Sequence, residues 1–126
     1  MSIAGIGTDL VEIERVERIL IRFPERFARR VLVDQEYDRW RARGGRPAWL
    51  AKRYAAKEAL AKALGTGIGA EVSFHDLVMS TDDHGAPRAR LEGGAKALAD
   101  RIGIRGVHVS LTDESGQALA FVVLEK

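Results

Sequence analysis

Trp49-Leu50-Ala51-Lys52-Arg53-Tyr54-Ala55-Ala56-Lys57-Glu58-Ala59-Leu60-Ala61-Lys62-Ala63-Leu64-Gly65 is the stretch from which the fold can be read. Ala, Leu, Lys and Glu are strong helix formers because they lose little side-chain freedom in a helix, and Gly65 stands where the left-handed C-terminal residue belongs. A helix over Trp49–Leu64 follows. Upstream of it, residues 42–47 contain Gly44, Gly45 and Pro47 and read as a loop. Phe27–Tyr37 reads as a second short helix. Val16, Ile19, Leu20 and Phe23 recur at three- and four-residue spacing, which predicts an amphipathic helix from Val11 to about Phe23, ended or bent by Pro24. Ile3–Asp9, with Gly5 and Gly7, reads as a strand whose glycines allow a close backbone approach.

Downstream, Thr66–Ala70 continues a Gly-rich turn. Val72–Ser80 and Pro87–Leu91 read as strands around the turn Asp82-Asp83-His84-Gly85, Gly94–Ile102 as a helix, and Val107–Leu111 with Ala118–Glu125 as a hairpin about Ser115-Gly116. The last strand is apolar on both faces, so it should be central or covered by a partner. The order β-α-α-α-β-β-α-β-β predicts an α+β fold with helices packed on an antiparallel sheet.

With 126 residues the chain fits one domain, 1–126. The absence of cysteine excludes disulfides, thiolate metal sites and a cysteine nucleophile, and fits a cytoplasmic address. The N-terminus has no basic residue and Asp9 interrupts its apolar run, so neither a signal peptide nor a membrane span is expected. Residues 1–63 hold 14 of the 20 Lys and Arg residues but only half of the 18 acidic ones. Such a basic half favours an anionic partner, whether phosphate-rich ligand, nucleic acid or acidic protein.

Asp9, the Lys57-Glu58 pair with Lys62, and the turn Gly65-Thr66-Gly67 are the candidates for chemistry. Two readings stand side by side. In the plain one, Glu58 and Lys62 form a surface i,i+4 ion pair and Asp9 caps the following helix. In the other, Asp9 and Glu58 hold a hard divalent cation, which takes one or two carboxylates plus phosphate oxygens and water. The lysines would then meet a pyrophosphate, and the turn would bring backbone N–H groups to phosphate oxygens. His75, His84 and His108 have no metal-ligand spacing, and His108 reads on its own as a hydrogen-bonded structural residue. Ser110 and Thr112 should share its face of the strand.

Gly5-Ile6-Gly7-Thr8-Asp9-Leu10-Val11-Glu12-Ile13 resembles the opening motif of the holo-acyl-carrier-protein synthases. Arg26-Phe27-Ala28-Arg29-Arg30-Val31-Leu32, the block from Arg53 to Gly69, and His108-Val109-Ser110-Leu111 follow in that family's order. The resemblance implies the 4′-phosphopantetheinyl transferase fold. It also implies transfer of the phosphopantetheine arm of coenzyme A to a serine of an apo-acyl-carrier protein of fatty-acid or polyketide synthesis. On that resemblance, Asp9 and Glu58 hold Mg²⁺ with Lys62 beside the phosphates, while Arg53, Gly65, Thr66, Gly67, His108 and Thr112 lie near coenzyme A. Arg15, Arg22 and Arg26, with Ile19 and Phe27 as apolar anchors, would dock the acidic carrier. A homotrimer with active sites between subunits is implied too, with neither nucleic acid nor membrane as partner. Two positions depart from the family pattern: Ala86 replaces the lysine of a Gly-Lys-Pro turn, and Asp113 follows Thr112 where a histidine is common. The competing readings are a basic nucleic-acid-binding domain and a trimeric scaffold without activity.

Overall fold

The computed structural model describes all 126 residues. The elements, in chain order, are β1 (Ile3–Glu12), α1 (Ile13–Arg22), α2 (Arg26–Val31), α3 (Asp34–Ala42), α4 (Pro47–Ala63), β2 (Leu77–Thr81), β3 (Pro87–Leu91), α5 (Gly93–Ile102), β4 (Gly106–Glu114) and β5 (Gln117–Glu125). Strands β1, β5 and β4 form one antiparallel sheet with β5 in the centre, and β2 and β3 form a second antiparallel ribbon. The α+β class holds, while the single sheet expected from the sequence is divided in two.

Several boundaries differ from the sequence reading, each for a physical reason. Strand β1 continues through Leu10, Val11 and Glu12 because these residues pair with Leu119, Ala118 and Gln117 of β5. Asp9 therefore sits within a strand and does not cap α1, whose N-cap position is Glu12 without a side-chain cap bond. The helix expected over Phe27–Tyr37 is two helices. Leu32 is extended and buried, Val33 is extended, and the Val33 N–H donates to Glu36 Oε1 at 2.8 Å to start α3. The first part of the strand expected at Val72–Ser80 is a tight 3₁₀ turn at Phe74–Asp76, held by the Ser73 N–H on Asp76 Oδ2. Helix α4 begins at Pro47, which is well suited to the first helical position because its missing N–H would have no partner there.

The core follows from α4 lying on the sheet. Its Ala55, Ala56, Ala59 and Leu60 are fully buried, as are Ala118, Ala120, Val122 and Leu124 along one face of β5. A second cluster gathers Val16, Val31, Leu32, Trp40 and Leu50 under α1, α2 and α3, and Val11 packs against both clusters. The other face of the three-stranded sheet stays open, with Ile6 63%, Leu10 58%, Leu119 39% and Phe121 42% exposed. The expectation of a central last strand is met, and this outer face accounts for its second apolar side.

The contact between α4 and β1 is exceptionally close. A Cβ on Gly5 would lie 2.1 Å from the Ala63 carbonyl oxygen, and one on Gly7 only 2.0 Å from that of Ala59. Neither neighbour is a flexible side chain that could give way. Gly7→Ala is expected to destabilise the fold by about 3 kcal/mol or more through overpacking, measured by chemical denaturation. A variant within ~0.5 kcal/mol of the parent would show that the helix can shift freely off the strand.

Candidate active site

Alternation along β1 puts Gly5, Gly7 and Asp9 on the face that meets α4. Asp9 is 17% exposed, and its Oδ1 accepts a hydrogen bond from Lys62 Nζ at 3.1 Å. The same ammonium donates to the Thr8 carbonyl oxygen at 3.1 Å. Lys62 thus reaches across to β1 instead of forming the i,i+4 pair with Glu58 that the plain reading anticipated. Glu58 is half-buried one turn earlier on α4, four residues after Tyr54. Burial pushes the Tyr54 phenol above its ordinary pKa, and the negative charges of Glu58 and Asp9 nearby add to the effect, with Arg15 opposing. Both carboxylates therefore lie within electrostatic reach of one phenol.

A cleft of about 220 Å³ opens from Asp9 and Tyr54 along Val11, Arg15, Ile19 and Phe27. A neighbouring groove shares Ile19 and Phe27 and continues to Phe23, Arg26 and Arg30. Arg22 ends α1 and Arg26 begins α2, with Pro24 between them. Phe23 brings them together nonetheless, with the two guanidinium carbons 5.3 and 5.7 Å from its ring centroid.

Lys57, adjacent to Glu58 in sequence, points about 100° around the helix from it and into the core. It is fully buried and donates to Glu36 Oε1 and the Val31 carbonyl oxygen, both at 2.6 Å, and to the Phe74 carbonyl oxygen at 3.2 Å. Burial lowers its pKa against the opposing pull of Glu36. It is thus unavailable to a pyrophosphate, which corrects the expectation that the lysines flanking Glu58 would share that role. Glu36 gave no signal in the sequence, where it looks like one more charge in a polar helix.

The Gly65-Thr66-Gly67 turn also differs from the simple picture. Gly65 and Gly67 adopt positive φ. The Gly65 N–H donates to the Lys62 carbonyl oxygen, and the Thr66 and Gly67 N–H groups both donate to that of Ala61. These donors close the end of α4 and are not free for phosphate oxygens.

Arg53 stacks on Trp49 with its guanidinium carbon 3.9 Å from the ring centroid, and burial pulls it down to about 10, which still leaves it charged at neutral pH. Arg43, Lys52, Gly85, Pro87 and Leu111 line the same pocket. Asp113 forms an ion pair with Lys52 at 3.0 Å, so the acid that departs from the family pattern is neutralised at the pocket's edge. Ala86 donates its N–H to Asp82 Oδ1, and this bond, with one from the His84 N–H, holds the Asp82 carboxyl below its usual range. His108 and Thr112 lie on the open face of β4, opposite Val123 and Leu119. His108 hydrogen-bonds Glu125, as its structural reading anticipated. No hydrogen bond or ion pair joins the Arg53, His108 and Thr112 groups to Asp9 and Lys62.

The family model described as the 4′-phosphopantetheinyl transferase superfamily matches residues 5–122. The chain belongs to that superfamily, among its holo-acyl-carrier-protein synthases. It is 49% identical over 124 residues to the holo-[acyl-carrier-protein] synthase of Vibrio cholerae, covering 98% of each chain. The crystal structure of the Neisseria meningitidis synthase superposes with a TM-score of 0.93 at 41% identity, covering 99% of this chain and all of that one. The Helicobacter pylori synthase, solved in complex with coenzyme A, matches with a TM-score of 0.84 at 34% identity over 95% of this chain and 99% of its own. The phosphopantetheinyl transferase fold and the enzyme class expected from the motifs are thereby established. No helix is long and apolar enough to cross a membrane.

Proposed function

We propose that the chain transfers the 4′-phosphopantetheine arm of coenzyme A to a serine of an apo-acyl-carrier protein in the presence of Mg²⁺, releasing 3′,5′-ADP. The observation that carries this reading is the Asp9–Lys62 contact at the head of a cleft that runs on to Arg15, Ile19 and Phe27. No group of three or more His, Cys, Asp or Glu side chains forms a protein cage for a metal. Two carboxylates of separate elements, Asp9 and Glu58, are instead the oxygen donors suited to a hard cation that keeps water and substrate phosphate in its shell. When bound there, Mg²⁺ would supply charge neutralisation on the diphosphate.

In the proposed reaction the carrier serine oxygen attacks the phosphorus that bears pantetheine, in line with the diphosphate bridge. A phosphorus–oxygen bond to serine forms as the bridge bond breaks, the serine hydroxyl proton passes to water, and 3′,5′-ADP leaves with the electron pair. Phosphoryl transfer of this kind relies on positioning and charge stabilisation more than on covalent help. Lys62, half exposed and held only by Asp9 and Thr8, can turn to the leaving phosphate. The open Gly65-Thr66-Gly67 turn leaves room beside it, since nothing lies within 4 Å of a Cβ built on either glycine. Arg15, Arg22 and Arg26 offer an acidic carrier helix a cationic rim around the apolar Ile19 and Phe27.

Arg53, His108 and Thr112 serve the nucleotide end in this proposal, and their separation from Asp9 favours a site completed by a neighbouring copy. The open face carrying Ile6, Leu10, Leu119 and Phe121 supports a homotrimer assembled through the sheets.

Intact-protein mass spectrometry of apo-carrier mixed with the enzyme, coenzyme A and Mg²⁺ should record the phosphopantetheine increment. Glu58→Gln should slow it by about 100-fold or more, since even the outer partners of metal ligands are worth 10–100-fold; near-normal turnover would remove Glu58 from the reaction. Reversing Arg15 and Arg26 to Glu should raise the carrier KM by about tenfold or more and leave that for coenzyme A unchanged, whereas two unaltered values would place docking elsewhere. Phe121→Asp should convert a trimer to monomer in analytical ultracentrifugation; a parent that already sediments at 13.8 kDa would exclude the trimer.

A further inference from the structure

Tyr54 stands at the junction of the cleft and α4 without a role in the reading above. Its ring is fixed from both sides, with centroids 5.6 Å from Phe27 and 5.7 Å from Phe74. It lines the cleft together with Asp9 and Arg15. Four residues separate it from Glu58 on α4, the spacing at which two side chains meet on one helix face. A ring held in this way delivers its hydroxyl to one place.

The chemistry of that place favours a phenol. A tyrosine hydroxyl is an uncharged donor at neutral pH. Such a donor can occupy one lone pair of a carboxylate while leaving the negative charge and the remaining lone pairs intact. A lysine or arginine in the same position would cancel that charge and compete with an incoming cation. Lys62 already occupies one oxygen of Asp9, so Glu58 is the carboxylate whose orientation has no other fixed partner among the hydrogen bonds of the site.

We infer that Tyr54 is a positioning residue whose hydroxyl donates to Glu58 and holds that carboxylate on the cleft side of α4, beside Asp9, ready for a divalent cation. The inference rests on the reading that Asp9 and Glu58 are the metal-holding pair. Its action is on the metal and not on carrier docking, although the ring borders the docking cleft.

Tyr54→Phe removes the hydroxyl and keeps the ring between Phe27 and Phe74. Mn²⁺ binding to the enzyme with coenzyme A, followed by electron paramagnetic resonance, should weaken by about tenfold, the scale on which outer partners of metal ligands act. The Mg²⁺ concentration for half-maximal transfer should rise in step, with kcat at saturating Mg²⁺, carrier KM and thermal stability unchanged. Unaltered Mn²⁺ affinity, or a change confined to carrier KM, overturns the inference. Glu58→Gln measured alongside separates the two levels of argument: if it abolishes Mn²⁺ binding while Tyr54→Phe does not alter it, only the role of Tyr54 fails. If neither variant changes Mn²⁺ binding, the metal assignment itself fails.

Discussion

Helix α4 rests on strand β1 at backbone contact, with the Ala59 and Ala63 carbonyl oxygens in the space that side chains at Gly7 and Gly5 would fill. The proposed active site depends on that closeness. Because β1 alternates, the residue that follows the two glycines on the same face is Asp9. Lys62 lies on α4 between the two contact points, so its side chain meets Thr8 and Asp9 over a short span.

The other side of α4 is fixed by a different device. Lys57 is buried with three oxygen acceptors, and Glu36 accepts the Val33 and Met79 N–H groups as well as the ammonium. No buried side-chain nitrogen or oxygen lacks a partner. A buried ion pair seldom adds much net stability, since desolvation consumes most of its attraction, but a fully bonded one admits few alternative geometries. Here it joins α2, α3 and β2 to α4 and sets the rotation of the helix about its axis. Once Lys57 faces inward, Tyr54, Glu58 and Lys62 are turned toward β1 and the cleft.

How far these features could be read from the sequence depends on whether their cause is local. Helix α4 was legible because propensity, length and the terminal glycine agree over a continuous run. The close approach at Gly5 and Gly7 was also legible, since glycine inside a strand has few other uses. The end of β1 was not. Asp9–Glu12 suits a helix start as well as a strand, and the decision comes from pairing with residues more than a hundred positions away. For the same reason the lysines of α4 could not be sorted. Lys57 and Lys62 look equivalent in the sequence, while Glu36 and Asp9, which determine their different positions, lie 21 and 53 residues away. Tyr54 was within reach, because its spacing from Glu58 is local, but an aromatic in an apolar helix reads first as packing.

The Asp9–Lys62 pair also bears on how an acidic and a basic group can share a site and both remain usable. With Lys62 about half exposed and Asp9 only partly buried, the pair belongs to the class worth about 0–1 kcal/mol. That is small beside the several kcal/mol at stake when a divalent cation and a phosphate meet opposite charges in a cleft. In the proposed reaction the arriving cation and diphosphate replace each partner with a stronger one, so separating the two costs little. In that proposal each neutralises the other before the substrate arrives, which keeps Lys62 near its place of action. A fully buried pair such as Lys57–Glu36 could not be exchanged in this way, because either member would be left charged and without water. The two ion pairs of α4 thus divide the work by burial: the enclosed one sets geometry, and the accessible one remains free to react.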